Sequence, residues 1–389
     1  MKCKLCNTSH VSKYGMVIRH IYTREGKQKR PLQKYRCPKG HITSKTIPTF
    51  DDSFIEHVVF IYLHCLSLNT TITLVREQYD EDILNKSLIL DFIEYVADAL
   101  PSLDDLDGIY HPARSGYIAV DGVWFSYGKD EVVLLVAFDP ESFDVISAIW
   151  REEETQEGYE YLLTQAVNKI GVVHVKGLYA DGDNGFISAW KRLLPMVPFQ
   201  LCVLHKELRM GQIVPVKRVS SSRQLTDTQK HDIKVFQLLF REVIYAKDKQ
   251  ASITALERLK EYVKSNVHSY PEKFQKAYRS LIHNFSYTLT HFDHIHMRRD
   301  NNLIECFNGC LKPRLRLMKS FKKNENLDRY LKLFLLNYRF HTLVESKFKT
   351  RRGKSPLEIA GVTMPPYRNF LRLLREELQL SFQPKNQPF

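Results

Sequence analysis

The sequence of 389 residues lacks any apolar run of the ~20 residues that a membrane-spanning helix needs. Its N-terminus, Met1-Lys-Cys-Lys4, also lacks the apolar core of a secretory signal peptide. Disorder is excluded as well, because hydrophobic residues make up 43% of the chain and aromatic residues 12%. We therefore expect an intracellular, globular protein, and the length indicates two or three modules.

Acidic residues are in deficit relative to basic ones. Lysine and arginine number 57 against 44 aspartates and glutamates, which gives a formal net charge of +13. Residues 26–50 contain seven basic side chains and no acid, and residues 312–323 contain six and none. Either stretch alone could be a solvated face, but the two together favour a polyanionic partner, and DNA fits best.

The cysteines number seven, an odd count in a chain expected to be intracellular, which disfavours a disulfide framework, so we consider metal binding and packing first. Two ligand pairs lie in the first fifty residues, Cys3-Lys-Leu-Cys6 and Cys37-Pro-Lys-Gly-His41. Zinc takes four such ligands in a tetrahedron, and pairs two to four residues apart on tight turns supply that geometry. A segment this short cannot form a core unaided. We therefore predict a zinc ribbon over residues 1–48.

Two alternatives remain open for this segment. His10 or His20 could replace His41 as the fourth ligand, because Cys-x3-His is less regular than a second Cys-x2-Cys pair. The thiols could also be unrelated and reduced, with a surface histidine beside them.

Residues 49–100 have helical patterning. Apolar residues between positions 54 and 66 follow one face of a helix, residues 67–71 supply turn and N-cap chemistry, and further helical patterning runs to position 96. This predicts a helix-turn-helix, although any small helical bundle has the same pattern. Residues 101–115, with three aspartates and Gly108, are interpreted as a linker.

From residue 116 the pattern changes to α/β. Short β-prone runs and helical runs alternate in the order β-β-β-α-β-α-β, with strands at 117–120, 132–138, 143–149, 172–179 and 199–204. We assign residues 116–215 to the first part of this module and 216–297 to an all-helical insertion. Residues 298–345 are helical again and complete the module, and 346–389 form a C-terminal tail.

Two aspartates follow predicted strands of this module. Asp121 comes directly after the first strand and is followed by Gly122, which suggests that the strand ends here. Asp181 follows the fourth strand in Ala180-Asp-Gly-Asp-Asn-Gly185. If these strands are neighbours, the two carboxylates converge at one edge of the sheet, where a divalent cation could bridge them. Acids at strand ends are also common turn-formers and helix caps, so Asp183 remains an alternative to Asp181.

Glu305 is the best third carboxylate. A helix through this segment places Glu305 and Lys312 on one face, two turns apart, so that a metal ligand and a DNA-phosphate contact would align. Three carboxylates can hold two Mg²⁺ ions for phosphoryl transfer, although a lone helical glutamate is more often a surface residue.

The order Asp121, Asp181-Gly, Cys202-Val-Leu-His205, a helical insertion, and Asn302-x-x-Glu305 with Lys312 resembles the DDE transposases of the Mutator-like group and related bacterial insertion sequences. The resemblance spans most of residues 115–345. It implies an RNase H-like catalytic core, β-β-β-α-β-α-β-α, interrupted by the insertion, with Asp121, Asp181 and Glu305 as catalytic metal ligands. Glu305 lies 124 positions after Asp181, a separation that suits such an insertion.

The same resemblance implies a role near the active site or in DNA contact for a further set of residues, namely Cys202, His205, Lys312, Arg314 and Arg316. From the residues alone, Cys202 and His205 are half of a zinc site, and they could equally be packing or polar support unless Cys306 or Cys310 approaches.

The N-terminal module resembles the zinc ribbon plus helix-turn-helix with which insertion-sequence transposases read terminal inverted repeats. Asn337-Tyr-Arg-Phe-His341 and Gly353-Lys-Ser-Pro356 resemble the close of many transposase and integrase catalytic domains. The Cys37-x3-His41 pair departs from the usual second Cys pair of such ribbons.

The resemblance implies a DNA transposase that hydrolyses a phosphodiester at each transposon end and then transfers the strand. It implies two Mg²⁺ (or Mn²⁺) ions in the catalytic site, Zn²⁺ in the ribbon, transposon-end and target DNA as partners, no membrane, and a homodimer or larger synaptic assembly. The expected location is the cytoplasm of a prokaryote, at the nucleoid. Two rival functions are a structure-selective nuclease of RNase H fold and a domesticated, DNA-binding regulator.

Overall fold

The computed structural model describes residues 2–44, 46–214, 217, 219, 222, 224–265, 271–316, 324–346, 348–365 and 369–384. The part of the basic stretch 312–323 that begins at residue 317 lies outside these residues, as do parts of the predicted helical insertion. The chain divides into two compact units. Unit 1 comprises Met1–His111, Phe321–Glu358 and Val362–Phe389, and unit 2 comprises Pro112–Ser320 and Ile359–Gly361.

The strands are β1 (Ser12–Thr23), β2 (Gly26–Arg36), β3 (Ile42–Ser44), β4 (Tyr117–Tyr127), β5 (Asp130–Asp139), β6 (Asp144–Arg151), β7 (Gly177–Ala180) and β8 (Phe199–Leu201). The helices of the first half are α1 (Asp52–Cys65), α2 (Leu68–Tyr79), α3 (Lys86–Ala99), α4 (Leu103–Tyr110), α5 (Gln156–Ile170), α6 (Asn184–Leu193) and α7 (Val203–Ile213). Those of the second half are α8 (Asp227–Ile244), α9 (Lys249–Ser265), α10 (Pro271–Ile282), α11 (Thr290–Asp293), α12 (Asn302–Leu315), α13 (Asn324–Phe340), α14 (Pro356–Ile359) and α15 (Phe370–Glu377). Short 3₁₀ turns lie at Val172–His174, Phe285–Leu289 and Lys349–Arg351. No helix in the described ranges is long and apolar enough to cross a membrane.

Unit 1 begins with a three-stranded antiparallel sheet in the order β1-β2-β3. Helices α1, α2 and α3 follow, and the predicted apolar face of the first is confirmed by the burial of Phe54, Val58 and Leu63. Ser67, which lies in the predicted turn, caps α2 by accepting a hydrogen bond from the Thr70 amide. The local signals for these helices therefore agree with the packing.

The segment interpreted as a linker contains helix α4. Ser102 and Asp105 form a reciprocal capping box at its N-terminus, and Leu106 is buried. The aspartates that suggested a loop lie in the first helical turn, where the helix dipole favours negative charge. Acid-rich composition is therefore compatible with a helix at this position.

The C-terminal segment contributes to unit 1. The carboxylate of Glu56, buried on α1, accepts hydrogen bonds from Asn369 (2.8 Å) and Arg375 (3.0 Å) at the start and within α15. Burial raises the pKa of Glu56, and Arg375 opposes this. These contacts attach residues predicted as a tail to the first helix of the unit.

Unit 2 is a mixed α/β unit built on a five-stranded sheet in the order β6-β5-β4-β7-β8. Strands β4, β5 and β6 pair in antiparallel fashion, whereas β4 with β7 and β7 with β8 are parallel. The succession of strands and long helices is the one that the sequence predicts. The predicted fourth strand is shorter than expected, because Val172–His174 form a 3₁₀ turn before it.

The two faces of this sheet carry different helices. Helices α5 and α6 cover one face, in a core that includes Ile118, Val120, Leu162, Phe186 and Trp190. Helix α12 packs against β4, and its Phe307 also reaches Phe138 of β5, with ring centroids 5.5 Å apart. Because successive side chains of a strand point to opposite faces, Asp121 points away from the core that contains Val120.

The helical insertion has its own core. Side chains from α7, α8, α9 and α10 pack together, and Phe236 stacks on Phe274 with ring centroids 4.4 Å apart. The predicted helical character of the described part of this segment is therefore confirmed.

A buried glutamine attaches the end of the insertion to the sheet. Gln200 on β8 is fully buried, and its Nε2 donates to the carbonyls of Leu201, Thr288 and Arg299 at 2.8, 3.0 and 3.3 Å. Its Oε1 accepts from the amide of His291 at 2.8 Å. These bonds fix the segment that leads into α12.

We expect Gln200→Ala to lower the free energy of unfolding of unit 2 by at least about 2 kcal/mol, because several buried backbone groups lose their partner. Urea denaturation followed by tryptophan fluorescence measures this, since Trp124, Trp150 and Trp190 all lie in unit 2. Gln250→Ala at an exposed position of α9 is the control and should change the value by under about 0.5 kcal/mol. Equal stabilities of the two variants would contradict the role of Gln200.

Candidate functional site

The four predicted zinc ligands come together in unit 1. One ligand atom each from Cys3, Cys6, Cys37 and His41 lies within 4.8 Å of all the others. Cys3 Sγ is 3.8 Å from His41 Nδ1, and Cys6 Sγ is 3.7 Å from Cys37 Sγ. Three thiols and an imidazole are the donor set of a structural zinc site, so the cluster could hold this ion and fits a zinc ribbon.

Each ligand pair lies on a tight turn. The Asn7 amide donates to the Cys3 carbonyl at 2.8 Å, and the Gly40 amide donates to the Cys37 carbonyl at 2.9 Å. Both donors have positive φ, 55° and 83°, a backbone region that glycine and asparagine tolerate. Neither His10 nor His20, the alternative ligands, belongs to the cluster.

The electrostatics of the cluster favour a thiolate at Cys3. Burial acts to raise the pKa of this thiol, but the backbone amides of Leu5 and Cys6, with the side chains of Cys6 and His41, lower it to about 6. Zinc binds the thiolate form of cysteine. The turn geometry therefore prepares a ligand before any ion binds.

Asp121 lies within strand β4 and not at its end. The prediction that the strand stops at Val120 was wrong, because β4 continues to Tyr127 and Asp121 pairs with Val136 of β5. Gly122 suggested a break, but the strand continues through it. Glycine fits here because a Cβ at this position would lie 2.3 Å from Glu154 Oε1.

Asp181 directly follows β7, which is the parallel neighbour of β4 as the sequence argument required. Asp183 is the N-cap of α6, and its Oδ1 accepts from the amides of Gly185 (2.7 Å) and Phe186 (3.2 Å). Asp181 is exposed, and its charge acts on Asp121. The two neighbouring aspartates thus have different surroundings.

Glu305 lies in the first turn of α12 and is half-buried. Its Oε1 is 3.3 Å from Nε2 of His205, which lies in the first turn of α7. Cys202 is the N-cap residue of the same helix, and its Sγ accepts from the Asn301 amide at 3.3 Å. Both members of the Cys-x-x-His pair therefore contact the segment that carries Glu305.

The charges of these groups are coupled. Burial, and then the charges of Glu305 and Asp181, raise the pKa of Asp121 to about 7, and His205 opposes this rise. Burial acts to lower the pKa of His205, but Cys202 and Glu305 raise it to about 11. The His205 hydrogen bond in turn lowers the pKa of Glu305. The structure thus brings Asp121, Asp181, Glu305 and His205 into one electrostatic neighbourhood.

The three acids are less closely spaced than the four ligands of the N-terminal cluster. Within the described residues, the group with all ligand atoms inside 4.8 Å is the Cys3 set, and the three acids do not form a second one. Cys306 and Cys310 are exposed thiols on α12 and likewise form no such group with Cys202 and His205.

Three neighbours of the acids were missed in the sequence. Asn308 is buried and donates from Nδ2 to Asp121 Oδ2 at 2.6 Å. Asn301 is buried before α12, and Glu154 accepts hydrogen bonds from Trp124 (2.7 Å) and Tyr159 (2.8 Å). Asn308 could have been found from its position three residues after Glu305 on one helix face. No local signal marks Glu154.

The predicted basic contacts lie at the C-terminal end of α12. Lys312 and Arg316 are exposed, and Lys312 acts electrostatically to lower the pKa of Glu305. Arg314 is partly buried and donates to the Cys310 carbonyl at 2.6 Å. The two exposed side chains are available to solvent and to ligands in this unit.

We expect one zinc ion per chain, lost in Cys37→Ser because a tetrahedral site with three good ligands holds the ion much more weakly. Mass spectrometry of the metal content, after dialysis against zinc-free magnesium buffer, measures this. Cys65→Ser is the matched control, because Cys65 lies in the same unit outside the cluster. Full zinc content in Cys37→Ser would rule out the assigned ligand set.

Comparisons with known proteins bear on this geometry. The profile of the family described as "Transposase, Mutator family" matches residues 132–342. The matched segment contains Asp181, Cys202, His205 and Glu305 and begins eleven residues after Asp121. No curated protein sequence matches the chain.

Among solved structures, the chain is similar to one chain of the simian T-cell lymphotropic virus intasome in complex with PP2A regulatory subunit B56 gamma, determined by cryo-electron microscopy. The identity is 15%, the alignment covers 35% of this chain and 51% of that chain, and the TM-score is 0.21. A TM-score this low supports no conclusion about fold or function. The family match is of a different kind, because it spans more than half of the 389 residues, and on that ground the chain belongs to the Mutator family of transposases.

Proposed function

We propose that the chain is a DDE-type transposase in which Asp121, Asp181 and Glu305 form the catalytic centre. The observation that carries the proposal is the approach of three acids from β4, the end of β7 and α12, elements far apart in sequence. A buried carboxylate beside two further acids costs stability, and such arrangements are concentrated at functional sites. Membership of a transposase family supports the same conclusion.

We also propose that β4 to β8 with α5, α6, α7 and α12 form an RNase H-like core. Three antiparallel strands followed by two parallel ones, with helices between them, support this interpretation. The insertion from α8 to α11 separates the second acid from the third, as in the group that the sequence resembles. The first acid lies on β4, and the second directly follows β7, the parallel neighbour of β4.

The donor set fits hard divalent cations. Carboxylate oxygens are the ligands that Mg²⁺ and Mn²⁺ prefer. Burial raises the pKa of Asp121 most, and the charges of Glu305 and Asp181 raise it further; positive charge between the acids relieves this repulsion. Asp121, Asp181 and Glu305 would hold two such ions, which when bound supply charge stabilisation to the attacking and leaving oxygens. His205 orients the Glu305 carboxylate through its 3.3 Å contact.

The proposed reaction has two steps. Water attacks a phosphorus at the transposon end, so that a new P–O bond forms while the bond to the 3′ oxygen breaks, which leaves a 3′-hydroxyl and a 5′-phosphate. The freed 3′-hydroxyl then attacks a phosphorus of target DNA and displaces the 3′ oxygen there. No covalent protein–DNA intermediate is needed, and the acids serve both steps.

We assign the second acid to Asp181. Asp183 uses its carboxylate to cap α6, with two hydrogen bonds from backbone amides. Asp181 is exposed beside β7, and its charge acts on both Asp121 and His205. A carboxylate already engaged as a helix cap is a poorer ligand than its exposed neighbour.

For the N-terminal unit we propose sequence-specific binding of the transposon ends by a zinc ribbon and a helix-turn-helix. Strands β1 and β2 carry exposed basic residues, among them Lys13, Arg19, Lys29 and Arg30, which suits phosphate contact. Helices α1 and α2 are joined by a two-residue turn in which Leu66 has φ 56°. Because two DNA ends must be joined to one target, we propose that the active form is a homodimer or larger synaptic assembly.

We expect Asp121→Asn, Asp181→Asn and Glu305→Gln each to lose strand transfer by about 10³-fold or more, because each removes a charged ligand worth several kcal/mol in the transition state. A strand-transfer assay with the element's own ends and Mg²⁺ measures this. Asp183→Asn is the matched control, because asparagine caps a helix as well as aspartate does. Loss of activity in Asp183→Asn with normal activity in Asp181→Asn would move the assignment to Asp183. If the wild-type protein binds the ends but cleaves no DNA, a DNA-binding regulator would be favoured.

We expect Cys37→Ser to bind end DNA no better than unrelated DNA, since the ribbon needs its ion to fold. Fluorescence anisotropy with the two DNAs at one fixed salt concentration measures the ratio of affinities. Gln250→Ala, at an exposed position of α9 outside the proposed ribbon and helix-turn-helix, should keep the preference of the wild type. A preserved preference in Cys37→Ser would exclude the ribbon as the end-reading module.

A further inference from the structure

Helix α12 is attached to strand β4 by two asparagines. Asn301 at the start of the helix donates from Nδ2 to the Val120 carbonyl at 3.1 Å, and Asn308 donates from Nδ2 to Asp121 Oδ2 at 2.6 Å. Both asparagines are almost fully buried, at 3% and 1% exposure. We call this pair the asparagine clamp (Asn301 and Asn308).

The side chain of Asn301 does not cap helix α12. It occupies the N-cap position, where asparagine usually accepts a hydrogen bond from the second or third amide, yet it makes no such bond. The side-chain amide of Asn301 instead donates to the Val120 carbonyl. Val120 lies one residue beyond Ala119, the last residue of β4 that pairs with β7. The carbonyl at the end of this pairing is therefore bonded to the start of α12.

Asn308 engages the candidate catalytic acid directly. The bond takes one carboxylate oxygen of Asp121, while the other accepts from the Gly122 amide at 3.0 Å. Both oxygens are thus fixed in direction, and each keeps a lone pair for a ligand. An amide donor leaves the charge of the carboxylate in place, whereas a lysine or arginine would neutralise it.

Glu305 lies between the two clamp residues in the chain. Asn301 lies four residues before Glu305 and Asn308 three residues after it, so all three share one helix face. We propose that the asparagine clamp is a positioning device that sets the separation between Glu305 and Asp121 and thereby the affinity of the acid centre for divalent cations. This inference rests on the proposed function of those acids.

Stability alone gives a poor account of the clamp. The Oδ1 atoms of both asparagines are buried and have no protein partner among the described residues. A buried polar atom left in this state costs about 1–3 kcal/mol, which offsets what the Nδ2 bonds contribute. The residues are therefore better explained by the geometry that they impose on Asp121 and Glu305.

The test measures Mn²⁺ binding by electron paramagnetic resonance, which reports free Mn²⁺ directly and needs no turnover. The full-length, zinc-loaded chain is compared with Asn308→Ala, Asn301→Ala and Asp121→Asn. We expect the two clamp variants to bind Mn²⁺ about 10-fold or more weakly, the usual effect of removing a residue that orients a metal ligand. Raising Mn²⁺ should restore DNA cleavage to the clamp variants but not to Asp121→Asn.

Ser252→Ala is the matched control for stability. It removes a buried 2.7 Å hydrogen bond to the Val243 carbonyl in the helical insertion of the same unit, away from the acids. We expect a lower melting temperature with Mn²⁺ affinity within twofold of the wild type. If Ser252→Ala loses as much affinity as the clamp variants, the effect is general destabilisation and the inference fails.

The remaining outcomes separate the two proposals. Wild-type Mn²⁺ affinity in both clamp variants, with loss in Asp121→Asn, overturns the clamp and leaves the proposed function standing. Wild-type affinity in Asp121→Asn overturns the proposed function itself. If one clamp variant does not fold, the other carries the test, because each breaks one attachment. Loss of the folded state in both would assign the asparagines to stability and overturn the inference.

Discussion

The packing of helix α12 against strand β4 is the contact on which the candidate catalytic centre depends. It holds Glu305 near Asp121 although the two carboxylates repel each other. Burial first, and then the charges of Glu305 and Asp181, raise the pKa of Asp121 to about 7, which corresponds to on the order of 4 kcal/mol against its ionised form. The buried apolar side chains of α12, Ile304, Phe307 and Leu311 among them, contribute roughly 1.5–3 kcal/mol each. Apolar burial is therefore large enough to hold the acids together.

The helical insertion is compatible with this contact because it is separately stabilised. Its helices bury an aromatic core of their own around Phe236 and Phe274, so most of the long excursion between α7 and α12 is packed apart from the core of the sheet. At the return point, Gln200 bonds to Thr288, His291 and Arg299 and fixes the chain just before α12. The orientation of α12 is thus specified at its entry as well as along its packed face.

Much of the fold follows from local patterns. The strand and helix order of unit 2, the first two helices of unit 1 and the two ligand turns at Cys3 and Cys37 were predicted, because periodicity, capping and ligand spacing act over a few residues. The sequence-based predictions were wrong where a residue type is common in two kinds of local structure. Gly122 looked like a strand end but relieves a clash with Glu154, and the aspartates of α4 looked like a loop but favour a helix start.

The sequence by itself determined which residues are chemically able to act: the cysteine and histidine pairs, the strand-following aspartates, and a glutamate on a helix with basic residues after it. Only the tertiary structure decided how they are used. It brings His205 to Glu305 and bonds Asn308 to Asp121 across more than 180 positions. The physical reason is range: capping and periodicity are encoded by neighbours in the chain, whereas the partner of a buried polar group depends on which distant elements pack against it.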